Sequence, residues 1–179
     1  GTDFVVIQAP AIVSFDPPAG PAGTWVTVVG SNFTGATAVT FNGTPADSFA
    51  VDTDAQLRAE VPVGATTGRI AVTNAAGTGM SGTDFVVIQA PAIVSFDPPS
   101  GPVGTWVTLV GSGFTGTTSV AFNGTPADSF AVDSDAQVRA KVPVGATTGR
   151  IGVTNAAGTG MSAADFVVIR APAIVSFDP

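Results

Sequence analysis

Of the 179 residues only 11% are charged, six basic against thirteen acidic, for a formal net charge of −7. There is no Cys, His or Tyr, which removes disulfides, thiolate metal sites and the commonest general bases and nucleophiles together. The six cations, Arg58, Arg69, Arg139, Lys141, Arg150 and Arg170, are scattered singly, so no basic patch exists to neutralise phosphates, and no run approaches the roughly 18 apolar residues of a membrane helix.

One string, Asp-Phe-Val-Val-Ile-Gln-Ala-Pro-Ala-Ile-Val-Ser-Phe-Asp-Pro, organises the chain. It runs from Asp3 to Pro17 and from Asp84 to Pro98, and returns from Asp165 to Pro179 with Arg170 in place of Gln. The period of 81 residues is long enough for each unit to bury its own core, which indicates an array of domains and not a solenoid.

Within a repeat, apolar residues alternate over short runs, the signature of strands. Ala11 to Asp16 is the first, closed by Pro17-Pro18-Ala19-Gly20-Pro21, whose Pro and Gly density ends pairing and sets a turn. Thr24 to Gly30 follows, with Val26 and Val28 on one face and Trp25, Thr27 and Val29 on the other. A loop at 31–37 leads to Val39-Thr40-Phe41. Asn42-Gly43 then marks a tight hairpin, because a type I′ turn needs positive φ at both central positions.

Ser48 to Asp52 and Gln56 to Val61 come next, with Leu57, Ala59 and Val61 inward and Arg58 and Glu60 outward. Pro62 to Gly68 reads as a turn, and Arg69 to Asn74 as a strand with Ile70 and Val72 inward. Ala75 to Gly82 reads as a small-residue loop before the last strand, Phe85 to Ile88. About seven strands with frequent turn signals and no window of helical period predict a β-sandwich.

The residues from Pro91 to Phe114, Pro-Ala-Ile-Val-Ser-Phe-Asp-Pro-Pro-Ser-Gly-Pro-Val-Gly-Thr-Trp-Val-Thr-Leu-Val-Gly-Ser-Gly-Phe, resemble the opening of an IPT/TIG domain. The likeness continues through Val120 to Gly124, Val142-Pro143 and Gly149 to Thr154, and it covers both repeats. It implies an all-β chain of two tandem immunoglobulin-like sandwiches of the early-set type, joined end to end by short Ala-Pro junctions. Members of the family occur in receptor ectodomains, rel-type transcription factors, starch-acting enzymes and tandem arrays on bacterial surface proteins. The DNA-binding members carry basic loops that are missing here. Trp25 and Trp106 depart from the pattern, where a small or polar residue is more usual. Fold alone does not assign function.

The expected frame is 1–8 as the last strand of a preceding repeat, 9–89 and 90–170 as two repeats, and 171–179 as the first strand of a following one. The chain then reads as a segment of a longer protein. Its end strands lack a home domain and are expected to be disordered, or completed by neighbouring chains or by further sequence, since unpaired apolar strands are edge-pairing hazards.

Few residues invite a chemical reading. Asp52 and Asp54, repeated as Asp133 and Asp135, suit a polar turn, and two carboxylates alone fall short of a calcium site. No metal or cofactor is implied, and no enzyme. Asn32, Asn42 and Asn123 sit in glycosylation sequons, although Asn42 and Asn123 already have a turn role. Trp25 and Trp106 leave three readings open: cover by a loop or strand of the same domain, which is favoured; contact with a neighbouring repeat or chain; or a sugar-stacking platform. Glu60 and Lys141 reverse charge between the repeats at an outward position.

The junction residues Gln89, Ala90, Pro91 and Ala92, and their counterparts Arg170, Ala171 and Pro172, leave no Gly/Ser coil between domains. Proline holds its own φ and biases the residue before it toward extended geometry. A short, stiff linker is expected, with each repeat spanning roughly 35–45 Å at about 3.3 Å per extended residue. Together these features point to a non-catalytic rod, stalk or fibre segment of a large extracellular or cell-surface protein, bacterial by resemblance. Its partners would be neighbouring repeats, or identical chains packed through Trp25, Val29, Trp106 and Val110. The alternative is a carbohydrate-binding or adhesive module, or a spacer of a polysaccharide-acting enzyme.

Overall fold

The computed structural model describes residues 7–172. The expectations about the end strands fall largely on 1–6 and 173–179, outside the described residues. The chain divides into two units, Gly1–Ile88 and Gln89–Pro179, and all regular structure described in either is β.

In the first unit the strands are β1 (Ala11–Asp16), β2 (Ala19–Gly20), β3 (Trp25–Ser31), β4 (Ala38–Phe41), β5 (Thr44–Pro45), β6 (Phe49–Thr53), β7 (Gln56–Glu60), β8 (Gly68–Asn74) and β9 (Gly77–Val87). They form a four-stranded sheet, β1-β3-β7-β6, and a five-stranded sheet, β2-β9-β8-β4-β5. The second unit repeats this with β10 (Ala92–Asp97), β11 (Ser100–Gly101), β12 (Trp106–Ser112), β13 (Ser119–Phe122), β14 (Thr125–Pro126), β15 (Phe130–Ser134), β16 (Gln137–Lys141), β17 (Gly149–Asn155) and β18 (Gly158–Val168). Asn42 and Gly43 both have positive φ, as do Asn123 and Gly124, so the tight hairpin inferred from Asn-Gly is present in both units.

The core forms where the inward positions of the two sheets meet. Val26, Val28, Phe33, Phe41, Leu57, Ile70, Val72 and Phe85 are fully buried. The Phe41 and Phe85 rings meet edge to face with centroids 5.3 Å apart, a geometry worth roughly 0.5–1.5 kcal/mol beyond burial. Val28 lies directly opposite Leu57, and Leu109 directly opposite Val138. Two of the differences between repeats are therefore one exchange that keeps the volume of a cross-strand pair constant, the kind of swap a close-packed core accepts.

Two stretches differ from the sequence reading. Pro17 to Pro21 is not only a turn. After the cis Asp16–Pro17 bond the chain leaves the β1–β3 ladder for the other sheet, where Ala19 and Gly20 pair in parallel with Val86 and Val87. Proline cannot donate to a ladder, so the Pro-Pro step ends one pairing while the next two residues begin another.

The second is Ala75 to Gly82, a hairpin and not a loop. Only 75 and 76 turn, and β9 pairs with β8 from Asn74↔Gly77 through Ala71↔Met80. Its alternation is hidden because the inward positions are Gly79 and Ser81. A side chain at Gly79 would land on the Pro10 carbonyl. Ser81 is buried and repairs the register shift between Arg69 and Ala71: its Oγ accepts the Ile70 amide at 3.0 Å and donates to Thr83 O at 2.7 Å. Ser162 does the same for Ile151.

Candidate functional site: the junction clamp and the outer sheet face

Each unit grips its entering chain with one buried asparagine. Asn155 closes β17 and is 5% exposed. Its Nδ2 donates to Gln89 O at 2.8 Å, Gly113 O at 2.9 Å and Thr115 O at 3.3 Å, while its Oδ1 accepts the Ala157 amide at 2.8 Å. Asparagine suits this task because a short side chain supplies two donors and one acceptor at once. Asn74 holds Gln8 O at 2.8 Å and Asn32 O at 3.2 Å in the same way. Next along the chain, Pro91 is buried, and its carbonyl fills the space where a side chain at Gly160 would stand.

The departing chain is held as firmly. The Val86 and Ile88 amides donate to Pro18 O and Gly20 O, each at 3.0 Å, and Ile169 donates to Gly101 O at 3.0 Å. Within the first unit the backbone is anchored through Ile88, and within the second it is anchored from Gln89. Of the junction residues named from sequence, Gln89, Ala90 and Ala92 are exposed, as are Arg170, Ala171 and Pro172. The clamping asparagines escaped the sequence reading, since a strand-terminal Asn carries no mark of its distant partner 66 residues away.

In the first unit an open hollow of ≈ 400 Å³ lies beside the clamp, lined by Ile7, Gln8, Asn32, Thr34, Asp54 and Asn74 among others. Its one carboxylate among the described residues, Asp54, accepts the amides of Asn32 and Thr34 at 3.2 Å each and so latches the loop after β3.

The outer face of the β1-β3-β7-β6 sheet carries the tryptophans. Trp25 is 45% exposed and Trp106 48%, and Val29 and Val110 are exposed beside them. The favoured expectation that a loop or strand of the same domain covers the tryptophans is not met. Their cross-strand partners are Glu60 and Lys141, and the next pairs along are Thr27 with Arg58 and Thr108 with Arg139. Such polar neighbours keep the face open to water.

The IPT/TIG domain model matches residues 10–87 and 91–168. The chain belongs to the IPT/TIG family. No curated protein matches it. Among solved structures it is similar to the plexin A4 full extracellular region, at 20% identity and TM-score 0.51, over 96% of this chain and 16% of that one. It is also similar to SGBP-B from a complex xyloglucan utilization locus in Bacteroides uniformis, at 19% identity and TM-score 0.45, over 89% and 50%. A third is the surface glycan-binding protein PbSGBP-B from Prevotella bryantii, at 18% identity and TM-score 0.42, over 89% and 42%. These TIG repeats thus span half or less of each of those chains, and the likeness concerns the fold.

In each TIG repeat the paired turn aspartates, Asp52 and Asp54 or Asp133 and Asp135, have internal partners. Asp52 forms a two-pronged pair with Arg58 at 2.9 Å, and Asp133 with Arg139 at 2.7 Å. Each arginine holds its partner carboxyl below the usual range, chiefly through these hydrogen bonds. Asp135 is lowered by the Thr115 hydroxyl at 2.7 Å, then by the Thr115 and Gly113 amides. Among the described residues no three acidic side chains gather as a cation site would need. The sequon asparagines are also engaged: Asn42 Nδ2 donates to Thr66 Oγ1 at 2.9 Å and Asn123 Nδ2 to Thr147 Oγ1 at 2.8 Å, bracing the turn before β8 or β17. Asn32 Nδ2 donates to Ala9 O at 3.1 Å.

Proposed function

We propose that these tandem TIG domains act as a stiff, non-catalytic connecting segment of a large extracellular or cell-surface protein, with working repeats at 9–89 and 90–170. One observation carries this. The Ile88 amide is bonded within the first domain and the Gln89 carbonyl within the second, so no unanchored residue is left between them. Flexible linkers gain their freedom from unbonded Gly- and Ser-rich chain, and here a hinge would first have to release the asparagine clamp. Pro91, buried two residues on, further narrows the backbone. The partners of such a segment are neighbouring repeats and, through the exposed Trp25 and Trp106 faces, further copies of the same chain.

Small-angle scattering on chains of one, two and three repeats tests the spacer. The maximum dimension should rise by roughly 35–45 Å per repeat, as extended strands and their turns require. A two-repeat chain no longer than one repeat would refute it. A glycan array on the same material addresses the carbohydrate alternative, for which one half-exposed aromatic per domain is a narrow platform.

A further inference from the structure

Beside Trp25 and Trp106 the outer sheet faces of the two repeats differ by one charge. Around Trp25 and Trp106 both carry Thr and Val on the same strand, and an Asp–Arg pair that neutralises itself. The residue directly across from Trp25 is Glu60, and the residue across from Trp106 is Lys141. Neither joins an ion pair among the described residues. Most other exchanges between the repeats are among small or apolar residues; Gln89/Arg170 adds a charge at the junction, and Glu60/Lys141 is the one position where a charge is reversed.

We infer that this face is a docking surface for a second copy of the chain, and that it joins unlike repeats: the Trp25 face of one copy seats on the Trp106 face of another. A half-exposed tryptophan flanked by Thr and Val has the character of an interface anchor, large, rigid and cheap to order. What surrounds the anchor then selects the pairing. Two first-repeat faces would bring Glu60 against Glu60, and two second-repeat faces Lys141 against Lys141. Only the unlike pairing sets carboxylate against ammonium. Such charges at the rim of a contact act mostly by rejecting the wrong partner. The inference rests on the proposed association between copies, and is separate from the stiffness of a single chain.

The test compares the full 179-residue chain with Glu60→Lys, Lys141→Glu, the double swap Glu60→Lys/Lys141→Glu, and Trp25→Ala/Trp106→Ala by sedimentation velocity over a concentration series. The wild type should self-associate, less so at high salt as screening requires. Each single reversal should raise Kd about tenfold, because it leaves only like charges beside the tryptophans. The double swap should restore wild-type association, which a variant damaged in folding could not do. Removing both tryptophans should abolish it, with circular dichroism showing the sheets intact. A wild type that stays monomeric at every concentration overturns the inference. So does a double swap as weak as the singles, or a Glu60→Lys variant that associates more tightly than wild type. A monomer whose Trp fluorescence is instead saturably quenched by a glucan oligosaccharide assigns the face to carbohydrate and also overturns it. Scattering on the monomer judges the spacer proposal independently of all these outcomes.

Discussion

Replacing Asn155 with alanine should unfold the second repeat at markedly lower temperature and loosen its entering chain. The side chain is 5% exposed, its two N–H groups serve three carbonyls, and its Oδ1 accepts one amide. Gln89 lies at the surface, so its carbonyl can turn to water. Gly113 is buried, and its carbonyl would be left without the amide. A buried acceptor left unsatisfied costs about 1–3 kcal/mol. Loss of the Ala157 turn bond adds about 1 kcal/mol, so the total is about 2–4 kcal/mol. For a domain of this size each kcal/mol lowers Tm by about 4–8 °C, which gives a drop of about 8–30 °C. Each repeat holds one tryptophan, so the assay can be made specific to a repeat. In a Trp25→Phe background Trp106 fluorescence follows the second domain, and in a Trp106→Phe background Trp25 follows the first. The first domain should hold its Tm within about 2 °C, as distant sites are additive. A second-domain Tm lowered by less than about 3 °C, a fraction of a kcal/mol, would refute the clamp. Scattering at lower temperature should show the variant sampling a broader range of dimensions than wild type.

Val28→Leu and Leu57→Val should each destabilise the first repeat in denaturant titrations. Together they should recover about 1 kcal/mol or more of coupling, because the pair then matches the second repeat. Gly160→Ala should cost about 1–3 kcal/mol of second-domain stability, read as a lower Tm, as its methyl would collide with the Pro91 carbonyl, a fixed backbone atom that close packing cannot move cheaply. Stability should fall as the pH drops through the carboxylate range. The folded pKa values of Asp52, Asp54, Asp133 and Asp135 are depressed, so the unfolded chain binds more protons there, and stability rises with pH until it levels off above about pH 5. Asp135→Asn should flatten that slope in urea titrations between about pH 5 and 2. Millimolar calcium should leave Tm unchanged to within about 1 °C, since these aspartates are already hydrogen-bonded and too few to supply the ligands a calcium ion takes.

Period, all-β class, family and most strands can be read from the residues in order. Each of these rests on local signals: alternation such as Leu57-Arg58-Ala59-Glu60-Val61, the Asn-Gly hairpin, and a string that recurs at fixed spacing. Trp25 was legible as outward-facing from its parity with Thr27 and Val29, but not as uncovered, because cover is decided by what crosses the sheet. The rest follows from long-range packing, and in each case the deciding partner is far along the chain or lacks a side chain. Ala19-Gly20 is a strand because Val86 and Val87 lie beside it. Gly77–Met80 is a strand although glycine erases its alternation, since the Pro10 carbonyl takes the place of a side chain. Val28 and Leu57 differ from their counterparts as a pair because they face one another. The Ala-Pro junction could be seen in the sequence as short. That it is bonded on both sides, by Ile88 to Gly20 in one domain and by Asn155 to Gln89 in the other, follows from hydrogen bonds across 68 and 66 residues of chain, a separation that no local pattern records.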